Sequence, residues 1–113
     1  MKEKILFVNS CVRGENESRT LALAKTALSR LDGDIEEIRL ADADLKPLDA
    51  AGLAKRAESA EKNDFSDPVY DCAKQFAACD TVVIAAPFWD YSFPAFLKIY
   101  IESLCVGGLT FLY

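Results

Sequence analysis

Two short runs constrain the fold of this chain more than anything else in it. Ile5-Leu6-Phe7-Val8 and Thr81-Val82-Val83-Ile84-Ala85-Ala86 are continuous in apolar and β-branched residues. They lack the alternation of a strand with one wet face, so each has the look of a strand buried on both sides. Polar or turn-forming residues follow each run, and a helix signal comes next. Buried strands alternating with helices imply a parallel sheet covered on both faces and joined by right-handed crossovers.

The intervening sequence fills in this frame. After a polar loop from Asn9 to Glu17, Ser18 is placed to cap a helix running to about Leu31. Leu21, Ala24, Leu28 and Leu31 would form its apolar face, and Gly33 its stop. Ile35 to Leu40 is short and partly polar, as suits an edge strand. Ala41 to Ser66, rich in Ala, Asp, Glu and Lys and interrupted by Pro47, fits short helical turns or a mobile surface connection equally well. Asp67-Pro68 marks a helix start, with Val69, Cys72, Ala73 and Phe76 on one face. Ser92 is placed to cap the last helix, whose stripe is Phe93, Phe96, Leu97, Tyr100, Ile101 and Leu104. Gly107-Gly108 would end it. Strand order 2-1-3 is expected, the front part of a doubly wound sheet ordered 2-1-3-4-5. The third strand would then have a bare outer edge, unless Leu109 to Tyr113 folds back on it, another chain covers it, or the chain is the front of a longer protein. The last is the expectation: one domain over residues 1–113, incomplete at its C-terminus.

Composition excludes several classes of function. With 113 residues there is room for one small core. A net charge of −5 argues against a nucleic-acid or acidic-membrane surface. There is no apolar run of eighteen residues, and the four-residue run after Met1-Lys2-Glu3-Lys4 is too short for a signal peptide, so the expected location is cytoplasmic. The chain has no histidine, which removes Ser-His and Cys-His nucleophilic catalysis and the commonest transition-metal ligand. Cys11, Cys72, Cys79 and Cys105 lack the spacing of a zinc or redox site, so no metal is expected and the thiols are expected to be reduced.

Two loops carry the chemistry that remains. The first joins a buried strand to a helix N-terminus, where free N–H groups and the helix dipole favour an anion. Ser10, Asn16, Ser18 and Thr20 add donors there, and Arg13 and Arg19 add positive charge, opposed by Glu15 and Glu17. A phosphate monoester suits this loop, and a capped loop without ligand is the alternative. It has neither a dinucleotide fingerprint nor a P-loop. The Cys-x5-Arg of low-molecular-weight tyrosine phosphatases is not met either, since Glu17 stands where arginine is required. Cys11 is a packed small residue or a thiol with a pKa lowered by the helix N-terminus.

The second loop is Pro87-Phe88-Trp89-Asp90-Tyr91-Ser92-Phe93, which crowds aromatic surface into a turn. Such a turn needs a cover: an aromatic cofactor, a partner subunit or the domain's own core. In a doubly wound sheet the two loops flank the switch point where ligands bind. A phosphate at one and a flat ring against the other describe FMN.

The same residues resemble a known family. Ile5 to Ser10, Asn16-Glu17-Ser18, Ala86-Pro87-Phe88-Trp89-Asp90-Tyr91, Phe93-Pro94-Ala95-x-Leu97-Lys98 and Gly108-Leu109-Thr110-Phe111 are similar, in order and spacing, to flavodoxin-like NAD(P)H:quinone oxidoreductases and FMN-dependent NADH-azoreductases. The resemblance implies a flavodoxin-like fold and a homodimer contact through the helix Phe93–Cys105. It implies FMN as cofactor, NAD(P)H as electron donor, and two-electron reduction of a quinone, azo compound or similar small-molecule acceptor. It places the cofactor's phosphate on Ser10 and Ser18, with Asn16 and Glu17 in the same cofactor-binding loop, and its ring against Phe88, Trp89, Asp90 and Tyr91, with Pro87 opening that cofactor-binding turn. No side chain is implied as catalytic, because the flavin carries the chemistry. Members of that family continue into two more strands, a Gly-rich loop and a final helix. A truncated fragment acting only through self-association is therefore the competing expectation.

Overall fold

The computed structural model describes residues 2–112. Strand β1 (Glu3–Asn9) lies between β2 (Gly33–Arg39) and β3 (Thr81–Ala85), all parallel, in the expected order β2-β1-β3. Helix α1 (Arg19–Leu28) covers one face, packing Leu21, Ala24 and Leu28 on Ile5, Phe7, Cys11 and Ala85. Helix α4 (Ala95–Leu104) covers the other, packing Leu97, Tyr100 and Leu104 on Leu6, Val8 and Leu40. The odd and even residues of Ile5–Val8 thus enter different cores, which is why all four had to be apolar.

Several boundaries differ from those expected. Helix α1 closes at Ser29, and Leu31 is exposed. Gly33 does not stop the helix; it opens β2 opposite Glu3, where a Cβ would lie 2.5 Å from the Glu3 carbonyl oxygen. The glycine is thus required by close approach rather than by helix termination. β2 is largely exposed and carries Asp34, Glu36, Glu37 and Arg39, the charged dressing of a true edge. β3 has no such charges. It is only half-buried, with Ile84 48% exposed, because no strand lies along its outer flank among the described residues.

The unreadable stretch contains a regular helix, α2 (Ala50–Lys62), preceded by a 3-10 turn at Leu40–Asp42. Asp49 caps it, accepting from the Gly52 N–H at 2.8 Å, and Asn63 closes it in the left-handed region. None of its residues is buried. Arg56 holds it to the C-terminus of α4, donating to the Glu102 and Cys105 carbonyls at 2.7 and 3.1 Å. Asp67-Pro68 opens a 3-10 turn (Pro68–Tyr70) that leads into α3 (Asp71–Ala77). The tighter turn rotates Val69 to the surface and buries Tyr70 in its place, so Val69 leaves the predicted apolar face.

Helix α4 is not capped by Ser92. Pro94 occupies the N-cap, and Ser92 is engaged in the preceding hairpin. The helix ends at Leu104, and Gly107-Gly108 lies in the turn beyond, where Thr110 Oγ1 accepts from the Val106 N–H at 3.1 Å. That turn closes on Val106 and Leu104 rather than pairing with β3. Tyr113 lies outside the described residues. All four cysteines are free, and burial pushes the Cys72 and Cys79 thiols up in pKa.

The Tyr100 hydroxyl is buried without a hydrogen-bond partner. Burial is the main cause of its raised pKa, helped by Cys72 and Cys79. An unfolded tyrosine ionises at about pH 10, whereas this one keeps its proton well above that. The resulting stability is complete below pH ~10 and lost as pH rises towards the folded pKa. Tyr100→Phe removes the orphaned group and is expected to stabilise the fold by about 1 kcal/mol at pH 7. It should also flatten the alkaline loss of stability, as read by denaturant midpoints at neutral and high pH. A lower midpoint at pH 7 would show that the hydroxyl has a partner after all.

Candidate functional site

The site is built where β1 and β3 end. Their register sets Asn9 beside Ala85, so the loop after β1 and the turn after β3 leave the sheet side by side. Ser10 fastens the two. Its N–H donates to the Ala85 carbonyl at 3.0 Å and its hydroxyl donates to the same oxygen at 2.6 Å. Ser10 is fully buried, so its donors hold the two loops together.

From there the loop turns outward. Glu15–Glu17 form a turn closed by the Glu17 and Ser18 N–H groups, both donating to the Gly14 carbonyl. Asn16 and Glu17 lie on its exposed rim, as do Arg13 and Glu15. Ser18 is buried and caps α1 as expected, accepting from the Leu21 N–H at 3.1 Å. The first-turn N–H groups of Arg19 and Thr20 have no acceptor within the helix, as geometry dictates. Free N–H groups at a helix start suit an anion. Ser18→Ala is expected to cost about 1 kcal/mol of stability through the lost cap. Guanidinium denaturation checks this; an unchanged midpoint would mean that another group replaces the cap.

The second loop is a two-residue hairpin. The Trp89 and Ser92 N–H groups donate to each other's carbonyls at 2.7 and 2.8 Å. Between them Asp90 and Tyr91 have φ of 49° and 63°, the positive values an I′ turn requires. Aspartate tolerates this region, but for tyrosine it costs roughly 1–2 kcal/mol. Tyr91 is nevertheless 94% exposed and its ring meets only the edge of Phe88, itself 75% exposed. Trp89 leans on Phe96 with ring centroids 6.5 Å apart and keeps 42% of its surface. Pro87 is half-buried at the base of the turn. A strained backbone that displays bare rings is better explained by a ligand or partner than by the stability of the fold.

The structure therefore brings the two predicted loops together but divides their residues by task. Ser10 and Ser18 shape the site from beneath, Asn16 and Glu17 rim it, and Phe88, Trp89 and Tyr91 offer flat faces. Backbone donors and aromatic faces at one end of the sheet suit the phosphate and ring of a flavin mononucleotide. A cleft of about 210 Å³ lies elsewhere, between α2 and α4, lined by Lys46, Arg56, Tyr70 and Glu102 among others. Sequence reasoning passed over Asn9. It is buried, its Oδ1 accepts from the Cys11 N–H at 2.9 Å, and its Nδ2 donates to Glu37 at 3.0 Å. A polar residue directly after a buried apolar run was the available signal. Cys11 itself is buried in the α1-side core.

Known proteins resemble this chain in sequence and fold. Over residues 3–113 the chain matches the family model described as flavodoxin-like fold. It is 32% identical over 115 residues to an FMN-dependent NADH:quinone oxidoreductase of Clostridium perfringens, covering 97% of this chain and 58% of that protein. It is 34% identical over 116 residues to an FMN-dependent NADH:quinone oxidoreductase 2 of Clostridium acetobutylicum, covering 97% and 57%. Among solved structures, an azoreductase from Bacillus anthracis superposes with a TM-score of 0.75 at 25% identity, over 98% of this chain and 59% of that one. The chain thus spans a little over half the length of the relatives it matches. By sequence and by architecture, it belongs to the family of the flavodoxin-like fold.

Proposed function

We propose that this chain carries the phosphate loop and the ring-walling turn of an FMN-dependent NAD(P)H oxidoreductase that passes two electrons to a quinone, azo compound or similar small molecule. The observation behind this reading is the pairing of an anion-binding helix start with a displayed aromatic turn, locked together by Ser10 on Ala85. The names of the relatives point the same way. In this reading FMN, held by these two loops, would supply the two-electron chemistry between NAD(P)H and the acceptor. The chain's residues bind the phosphate at the start of α1, fix the ring against Phe88, Trp89 and Tyr91, and shield it from water. The protein acts in the cytoplasm as a homodimer through Phe93–Cys105, which would cover aromatic surface otherwise left in water.

Titration of FMN against the purified protein tests the reading. Quenching of flavin fluorescence at micromolar protein, and a yellow preparation that releases FMN on denaturation, are expected. A colourless protein that takes up no added FMN would sink it. A second reading, a non-catalytic domain that only self-associates, is favoured by the uncovered outer edge of β3. It predicts oligomers in light scattering, no flavin and no NAD(P)H oxidation with any quinone.

A further inference from the structure

We propose that Asn9 is the positioning residue of the phosphate loop, and that Glu37 on the neighbouring strand sets which way its amide faces. The inference rests on the flavin reading above and adds a residue outside the two loops that reading uses. Asn9 is 1% exposed and stands at the last position of β1, where the loop begins. An amide in that place can present either its oxygen or its NH2 to the loop. Glu37 removes the choice. Its carboxylate accepts hydrogen bonds and donates none, so it takes the Asn9 NH2 at 3.0 Å and turns Oδ1 towards the Cys11 N–H, 2.9 Å away. Glu37 is itself held by Lys25 of α1 at 3.3 Å, and that ammonium lies 5.4 Å from the centre of the Phe7 ring. The chain of contacts therefore runs from α1 through β2 and β1 into the first peptide of the loop.

The consequence for binding is geometric. An anion site made of backbone N–H groups is only as good as the fixed direction of those groups. Asn9 fixes the Cys11 peptide, while Ser10 fixes the loop to Ala85 on the other side. Both anchors act where the chain leaves the sheet, at the start of the loop that leads to α1. Releasing the Asn9 anchor should loosen the hold on a phosphate while leaving the ring-walling turn intact.

The experiment compares FMN with riboflavin, which has the ring but no phosphate, by fluorescence titration of four proteins. Wild type sets the reference ratio of the two affinities. In Asn9→Asp two carboxylates face each other and the Glu37 hydrogen bond is lost. FMN affinity is expected to fall about tenfold, with riboflavin affinity changed less than about twofold, consistent with losing a buried hydrogen bond to a charged group. Glu37→Gln keeps an oxygen that accepts from Asn9 but adds an NH2 that donates, so the facing of the Asn9 amide is no longer fixed and FMN affinity should fall about threefold. The double variant Asn9→Asp with Glu37→Gln reverses donor and acceptor: the introduced amide on β2 donates to the introduced carboxylate on β1. It should recover FMN affinity to within about threefold of wild type. Failure of the double variant to recover would show that a negative charge beside the loop is the whole effect, and would overturn the proposal. So would equal FMN binding by wild type and Asn9→Asp, an outcome that leaves the flavin reading standing. No FMN binding by wild type removes that reading, and this one with it.

Discussion

Phe7→Ala is expected to lose about 3–5 kcal/mol, the range for deleting a fully buried aromatic ring. Phe7 has no exposed surface and sits at the middle of β1, the strand with a neighbour on each side. Its ring packs among Ile5, Leu21 and Leu28, so the space it leaves is walled by two secondary-structure elements that cannot both close in. The Lys25 ammonium over the ring would lose its aromatic face as well. For a chain of 113 residues total stability is on the order of 5–15 kcal/mol, so roughly a fifth or more of it would go. Urea denaturation followed by far-UV circular dichroism measures this directly. Phe7→Leu, which keeps most of the volume, should lose roughly 1 kcal/mol. Similar midpoints for the two variants would mean that the α1-side core collapses around the gap.

Gly33→Val should cost about 3 kcal/mol for the opposite reason. Valine favours a strand, but its Cβ would stand 2.5 Å from a backbone oxygen and 2.8 Å from Cδ1 of Ile5. The Ile5 side chain can move; the Glu3 carbonyl belongs to the strand ladder and cannot move without opening the first rung between β1 and β2. Overpacking of this kind typically costs about 1–3 kcal/mol, and a backbone clash falls at the top of that range. Gly33→Ala carries the same Cβ and should cost nearly as much. If alanine were tolerated within about 0.5 kcal/mol, the close approach would have to be relieved by a slide of β2.

Continuous apolar runs made the strands readable. Ile5–Val8 announced β1 because both of its faces had to be apolar, Thr81–Ala85 announced β3 although it is only half-buried, and Leu21, Ala24 and Leu28 announced α1 by their period. Helix α2 was illegible because none of its residues is buried: what holds it is Arg56 on carbonyl oxygens, and no hydrophobic period records that. Ser92 misled as a cap because the Asp90-Tyr91 turn uses its backbone first. The two loops stood out because each follows a continuous apolar run. Asn9 was not, because an asparagine at a strand end looks like the first residue of any loop, and only its partner on β2 gives it a task.

The open flank of β3 has a kinetic signature. In a strand bonded on one side, successive amides point alternately towards the neighbour and away from it. Those of Thr81–Ala85 that face β1 should resist deuterium for as long as the sheet holds, while the intervening ones exchange at nearly solvent rates. β1, flanked on both sides, should show no such alternation. Any strand that comes to lie along β3, from this chain's kin or from another molecule, would announce itself by slowing every second amide and leaving the others unchanged.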